Sequence, residues 1–227
     1  MRQIEEQHPH GGDWLREIVF GLNDGLVTTL VFIMAVSAAA HTHLLLIVLG
    51  EVLAGGVSMA LGGYLSASTE KEVLDKRIAV ERFEIENEPE EERAELRTIY
   101  RKKGFSGPLL ERVVNHLTAN EDRWHRAMLH DELGLTEEKQ INPLREGLQV
   151  GLSFVVGGLI PTIPVIFSLP QTRWWAYGLT ALTALILGAV KSRYTHKGPL
   201  RAGVEFLVVV TVGMLAGVLI GLLLNVV

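Results

Sequence analysis

Three carboxylates stand where a bilayer makes them costly. Asp24, Glu51 and Glu205 each fall inside a long apolar run. An ionisable side chain at mid-bilayer costs about 2.5–3.5 kcal/mol on insertion scales. Such groups face a bundle interior or a water-filled path. The plain alternative is a protonated carboxyl, or one close enough to the interface to reach water. Asp24 and Glu51 lie deep enough in their runs to point to function, whereas Glu205 is only a few residues into its own. Met59 lies two helical turns beyond Glu51, near the same face. Hard carboxylates beside a soft thioether suit a borderline ion such as ferrous iron better than magnesium or calcium. A membrane methionine on its own is most often packing.

A second acidic group is polar in context. Between Glu81 and Glu95 the sequence holds eight Glu and two Arg. Glu81 and Glu84 are three apart, as are Glu92 and Glu95, so each pair shares one helix face. Two such pairs on adjacent helices could converge on a metal, as in the carboxylate sites of helical bundles. Met128 and Glu132 are four apart and share a face, with His125 close by. The alternative is a solvated acidic face, which most Glu runs are.

The elements that must position these residues follow from the hydropathy. Of 227 residues, 48% are hydrophobic and 21% charged, with a mean hydropathy of +0.27. The apolar residues are segregated into long runs, which excludes an ordinary soluble domain. Five runs meet the roughly 20 residues that a spanning helix needs. They cover about 18–40, 44–68, 147–169, 174–190 and 203–227. The first run starts late and lacks a small-residue cleavage site, so no secretory leader is expected. There is no cysteine, which excludes disulfides, thiolate zinc sites, Fe–S clusters and a catalytic thiol. The net charge of −5 does not suggest a nucleic-acid surface.

The predicted class is an all-α membrane protein of five transmembrane helices with a helical insert between spans two and three. The organisation is 1–68 (N-terminal segment and spans one and two), 69–145 (acidic insert) and 146–227 (spans three to five). Span two runs without a breaker into TEKEVLDKRIAVERFEIE, so one long helix is expected. Pro89 should open the next helix near Asn87 or Glu88, and Gly104 and Gly107 should end it. Pro108 starts another that ends near Thr118. Asn120 should cap a last helix that stops at Gly134. In span three, Pro161 and Pro164 are expected to interrupt the helix hydrogen bonding and so break the span. Small residues recur every fourth position at Ala54, Ser58 and Gly62, and again at Gly213, Gly217 and Gly221, which favours close helix approach or a dimer.

Lys and Arg set the orientation. The insert carries 14 of them, and Lys191, Arg193, Lys197 and Arg201 crowd the link between spans four and five. The link 40–43 has none. A cytoplasmic N-terminus and an extracytoplasmic C-terminus put every basic cluster on one side. His8 and His10 read as a flexible terminus, and His41 and His43 as ordinary loop residues near the predicted exit.

The sequence resembles the vacuolar iron transporter family from about Arg16 to the last span. The resemblance rests on REIVFGLNDGL, EVLAGGVSMALGGYLS, the Glu-rich insert ending in WHRAMLHDELGL, and GGLIPTIP. It implies a five-span homodimer that moves ferrous iron, and sometimes manganese, out of the cytosol against protons. It places Asp24, Glu51 and Met59 on the ion path and Glu17 at its cytoplasmic mouth. It places Glu81, Glu84, Glu92, Glu95, Met128 and Glu132 in a cytoplasmic metal-binding domain. Three positions depart from the family pattern: DGLVTTL lacks a proline, Leu129 stands where a second Met is expected, and Glu17 replaces Asp. These departures resemble a bacterial branch; no vacuolar targeting signal is evident, so a bacterial inner membrane is the expected location.

The expected function is therefore a proton-coupled antiporter of divalent metal and not an enzyme. It has no permanently bound cofactor; its partners are protons, the bilayer, a second copy of the chain and the carried ion (Fe2+, with Mn2+, Zn2+ and Co2+ as further candidates). The rivals are a membrane-anchored iron-binding or ferroxidase-like storage protein and a passive cation channel. The Glu-x-x-His pairing of di-iron bundles is missing, which weighs against the first.

Overall fold

A computed structural model describes residues 12–36, 43–134, 141–192 and 198–223. His8, His10, His41, Arg193, Lys197, most of the 40–43 link and the ends of the first and last apolar runs lie outside the described residues. The described chain is all helical: α1 (Gly12–Val36), α2 (Leu44–Asn87), α3 (Pro89–Lys102), α4 (Gly107–Thr118), α5 (Glu121–Asp131), α6 (Pro143–Ile166), α7 (Thr172–Lys191) and α8 (Pro199–Leu223). Five of them, α1, α2, α6, α7 and α8, are long and apolar enough to cross a membrane. The chain divides into two compact units, residues 1–65 with 143–227, and residues 66–142.

The first unit is an apolar bundle in which glycine lets helices touch backbone to backbone. A Cβ on Gly25 of α1 would lie 2.0 Å from the Phe154 carbonyl oxygen of α6, and one on Gly157 would lie 2.2 Å from the Leu22 carbonyl. Such contact is the usual device of membrane helices, which lack a hydrophobic drive to associate. α6 meets α2 in the same way, with Gly151 against Gly56 and Ala60. On α8, Gly213 and Gly217 are buried and take the side chains of Val27, Val31 and Met34 from α1. The other small-residue stripe is different: Ala54, Ser58 and Gly62 on α2 are all exposed.

Leu30, Ile33, Met34, Val48, Val165 and Val210 form the interior of this unit. Leu46, Leu53, Val57 and Leu61 on α2, and Val208, Val212 and Leu215 on α8, face outward. That pattern is costly in water and favourable against lipid. Trp174 and Trp175 are exposed at the start of α7, as interfacial rings are.

The two prolines of α6 do not break it, contrary to the expectation. Pro161 and Pro164 are both buried inside a continuous helix. Each removes one N–H, yet the φ that proline fixes is helical, and the surrounding helices keep the turn in place. The helix ends instead at Ile166, and Ser168 just beyond it takes a left-handed φ of +50°. There the Leu169 N–H donates to the Pro164 carbonyl and the Ser168 N–H to the Val165 carbonyl, which satisfies the terminal acceptors. α6 also begins four residues earlier than the hydropathy indicates, with Pro143 as its first residue.

The second unit has its own core of Ile85, Leu96, Leu110, Val114, Trp124 and Met128. Leu110 and Val114 on α4, and Trp124 and Met128 on α5, are each four apart, and α2 and α3 add Ile85 and Leu96. Pro89 opens α3 at its first position, with Glu88 as the cap residue. Gly104, at φ +97°, and Gly107, at φ +56°, supply the turn between α3 and α4. The Asn120 side chain accepts from the Arg123 N–H at 2.9 Å and starts α5. α5 ends at Asp131, three residues before Gly134, which takes φ +65°.

Candidate functional site

In the second unit, the residues that converge come from three helices. Glu81 on α2, Glu92 on α3 and Glu132 at the C-terminal cap of α5 each offer a carboxylate oxygen, all within 4.8 Å of one another. The helical faces explain the first two. Glu81 precedes the core residue Ile85 by four, and Glu92 precedes Leu96 by four, so both carboxylates are drawn in beside the core. Glu81 and Glu92 are buried, and Glu81 Oε1 and Glu92 Oε2 have no hydrogen-bond partner. Glu132 sits where the helix dipole is negative, an unfavourable end for an anion.

Three like charges this close do not all ionise. Burial pushes the Glu81 carboxyl up to about 8, and the charges of Glu132, Glu92 and Glu84 add to the rise. Glu92 is pushed up to about 7 by burial and by Glu95, Glu84 and Glu132. Glu132 is raised too, by burial and then by Glu95. The group therefore holds a proton near neutrality. A divalent cation could take that proton's place, because the same oxygens serve both.

The remaining sequence candidates in this unit fall around that group. Glu84 is half-buried and Glu95 exposed; both act on the trio as charges and lie outside it. Met128 is fully buried in the apolar core with Leu96, Val114 and Trp124. The His125 ring lies with Nε2 3.4 Å from the Ile78 carbonyl.

A neighbouring polar group was not foreseen from the sequence. Asp131, next to Glu132, takes Lys103 Nζ at 2.5 Å and His130 Nδ1 at 2.7 Å. Burial alone would raise its carboxyl, but Lys103, His130 and Tyr100 outweigh it and hold the group down at about 2. Tyr100 is pushed up to about 12 by burial and by Asp131. Lys103 also lies over the Tyr100 ring, 4.8 Å from its centroid. This ties the end of α3 to the end of α5, the end that carries Glu132.

In the first unit, Asp24 on α1 and Glu51 on α2 lie within electrostatic reach of each other. Thr29 Oγ1 donates to Glu51 Oε2 at 3.0 Å, and Thr28 Oγ1 to Asp24 Oδ1 at 3.4 Å. Thr28 stands four residues after Asp24, a spacing that the sequence displays; nothing local in the sequence signals the Thr29–Glu51 pair. Glu17 is mostly buried on α1, with Arg16 at 3.6 Å. Met59 is half-buried on α2, and Glu205 half-buried on α8.

Comparison with known proteins adds a family. The model described as the VIT family matches residues 15–222. A protein of Tulipa gesneriana named vacuolar iron transporter 1 is 31% identical over 210 residues, which is 90% of this chain and 85% of that protein. Vacuolar iron transporter 2 of Oryza sativa subsp. japonica is 33% identical over 198 residues, covering 86% and 80%. A vacuolar iron transporter of Plasmodium falciparum is 31% identical over 225 residues, covering 93% and 81%.

Proposed function

The chain belongs to the VIT family, and from that membership we propose that it carries divalent metal, ferrous iron first, across a membrane in exchange for protons. Members of this family are transporters rather than enzymes. One observation carries the reading to this chain: Asp24 and Glu51 stand together in helices otherwise apolar enough to span a bilayer. Carboxylates there are expensive unless they serve an ion.

Each carboxylate can hold a metal or protons, since both compete for the same oxygens. Glu17, Asp24, Glu51 and Met59 form the path in this reading. The acidic unit gathers cations from the cytosol, with Glu81, Glu92 and Glu132 as the holding group and Glu84 and Glu95 as nearby charge. Proton entry from the far side then releases the metal. Manganese is the second cargo. The N-terminus is cytoplasmic, on the distribution of Lys and Arg, and the membrane is a bacterial inner membrane. The exposed Ala54, Ser58 and Gly62 stripe supports a homodimer, because it lets a second backbone approach closely.

The test is metal flux into proteoliposomes, for ferrous iron and for manganese, with and without an imposed proton gradient. Flux that follows the gradient supports exchange. Flux that ignores it indicates a channel. No flux, with metal still bound by Glu81, Glu92 and Glu132, indicates an anchored binding protein.

A further inference from the structure

Four threonines of the apolar helices bond the backbone of their own helix. Thr162, Thr180, Thr183 and Thr211 each donate the hydroxyl proton to the carbonyl four residues back, at 2.7 to 2.9 Å. This is the ordinary choice for a helical threonine away from water. Thr28 and Thr29 depart from it, since both give that proton to a carboxylate. A hydroxyl has one proton to donate, so the choice is exclusive.

Thr29 is the stronger case. It is fully buried, and its acceptor Glu51 lies on a different helix. A third helix makes room for it. At Gly158 of α6, a Cβ would meet Thr29 Oγ1 at 2.7 Å and the Val52 methyls at 3.0 and 3.2 Å. A larger residue at 158 would press on that hydroxyl at the point where it meets Glu51, and the contact would have to shift. Three helices thus agree on one hydrogen bond.

We propose that Thr29 is a positioning residue for metal carriage: its hydroxyl fixes Glu51 through Oε2 and leaves Oε1 to the ion. The inference rests on the transport reading above and adds a residue to it. A partner that orients a metal-ligating carboxylate typically accounts for about 10- to 100-fold in metal affinity.

The test separates orientation from packing. Thr29→Val keeps the shape and removes the donor; Thr29→Ser keeps the donor and loses a methyl. In proteoliposomes of the full chain, Thr29→Val should raise the half-saturating ferrous concentration by about 10-fold or more with little change in maximal rate. Thr29→Ser should restore it, and Gly158→Ala should resemble Thr29→Val. The opposite ranking, with Val normal and Ser impaired, assigns Thr29 to packing and overturns the proposal while leaving transport intact.

If the wild-type chain carries no metal, the transport reading fails and a binding arm decides the proposal. Cobalt is titrated into the purified full chain bearing Glu81→Gln, Glu92→Gln and Glu132→Gln, which silences the acidic trio. Weaker binding on adding Thr29→Val, reversed by Thr29→Ser, sustains the role of Thr29. Equal binding in all three overturns it.

Discussion

Glu81 and Glu132 set carboxylate oxygens within 4.8 Å of each other, one from the long α2 and one from the C-terminal cap of α5. Burial and mutual repulsion keep a proton between them. A cation bound there would compete with that proton for the same oxygens.

The sign of the pH effect follows. The folded chain keeps Glu81 protonated up to about 8 and Glu92 up to about 7, against an ordinary value of 4.5. Between those limits the folded state binds more protons than the unfolded one, so stability falls as pH rises. The metal-free chain should unfold at a lower temperature near pH 8 than near pH 5.5. Manganese should raise the unfolding temperature more at the higher pH. Thermal unfolding of the full chain in detergent measures both, and a flat manganese response across that range contradicts the cluster.

Neutralising one member should separate stability from binding. Glu81→Gln removes the most raised carboxyl and keeps its shape. Without metal, the variant should be as stable as the wild type or more so near pH 8, since a buried like-charge conflict is relieved. With manganese it should lose most of the wild-type stabilisation. A variant that is destabilised without metal and still fully protected by it would show that Glu81 serves the fold alone.

The Asp131 group predicts an acid limit in the same unit. Asp131 is held at about 2, below its ordinary 3.8, by Lys103, His130 and Tyr100 acting against burial. Its contribution is complete above 3.8 and is lost as pH falls through about 2. Asp131→Asn should lower stability at neutral pH by about 1.5–3 kcal/mol, the usual scale for hydrogen bonds to a charged group. Lys103→Met should do the same, and the double variant should cost little more than either alone. Additive losses, read from denaturant unfolding, would argue against a shared contact.

Much of the scaffold was legible because hydropathy and helix punctuation are local signals. Each of the five apolar runs has its long helix among the described residues, and Pro89, Gly104, Pro108 and Asn120 each lie within two residues of a helix boundary. Pro161 and Pro164 misled, because a proline's cost depends on what surrounds it, and the packed helices absorb it here. Spacing by three pairs Glu81 with Glu84 and Glu92 with Glu95 on helix faces. It does not tell which members turn toward the core, and burial beside Ile85 and Leu96 selects Glu81 and Glu92. Met128 and Glu132 share a face, yet the core takes Met128 while Glu132 meets the other two carboxylates. The Thr29–Glu51 and Lys103–Asp131 contacts join distant segments, so no local pattern announces them.

The two small-residue stripes make contrasting predictions. Gly217 on α8 would place a Cβ 2.6 Å from the Val31 carbonyl, so Gly217→Val should overpack the bundle and cost about 1–3 kcal/mol. Gly62 on α2 is exposed with nothing within 4 Å. Gly62→Leu should leave the fold intact and weaken dimers. Thermal unfolding and size-exclusion chromatography with light scattering distinguish the two effects; a Gly62→Leu chain that remains dimeric would place the dimer contact elsewhere.

The central claim is exchange of metal for protons through Asp24 and Glu51. Its most direct test records ferrous iron entry and lumenal pH together in the same proteoliposomes, for the wild type and for Asp24→Asn. The account predicts that iron enters as protons leave, and that Asp24→Asn abolishes both while eluting at the wild-type size. Iron entry without proton movement, or undiminished exchange in Asp24→Asn, would contradict it.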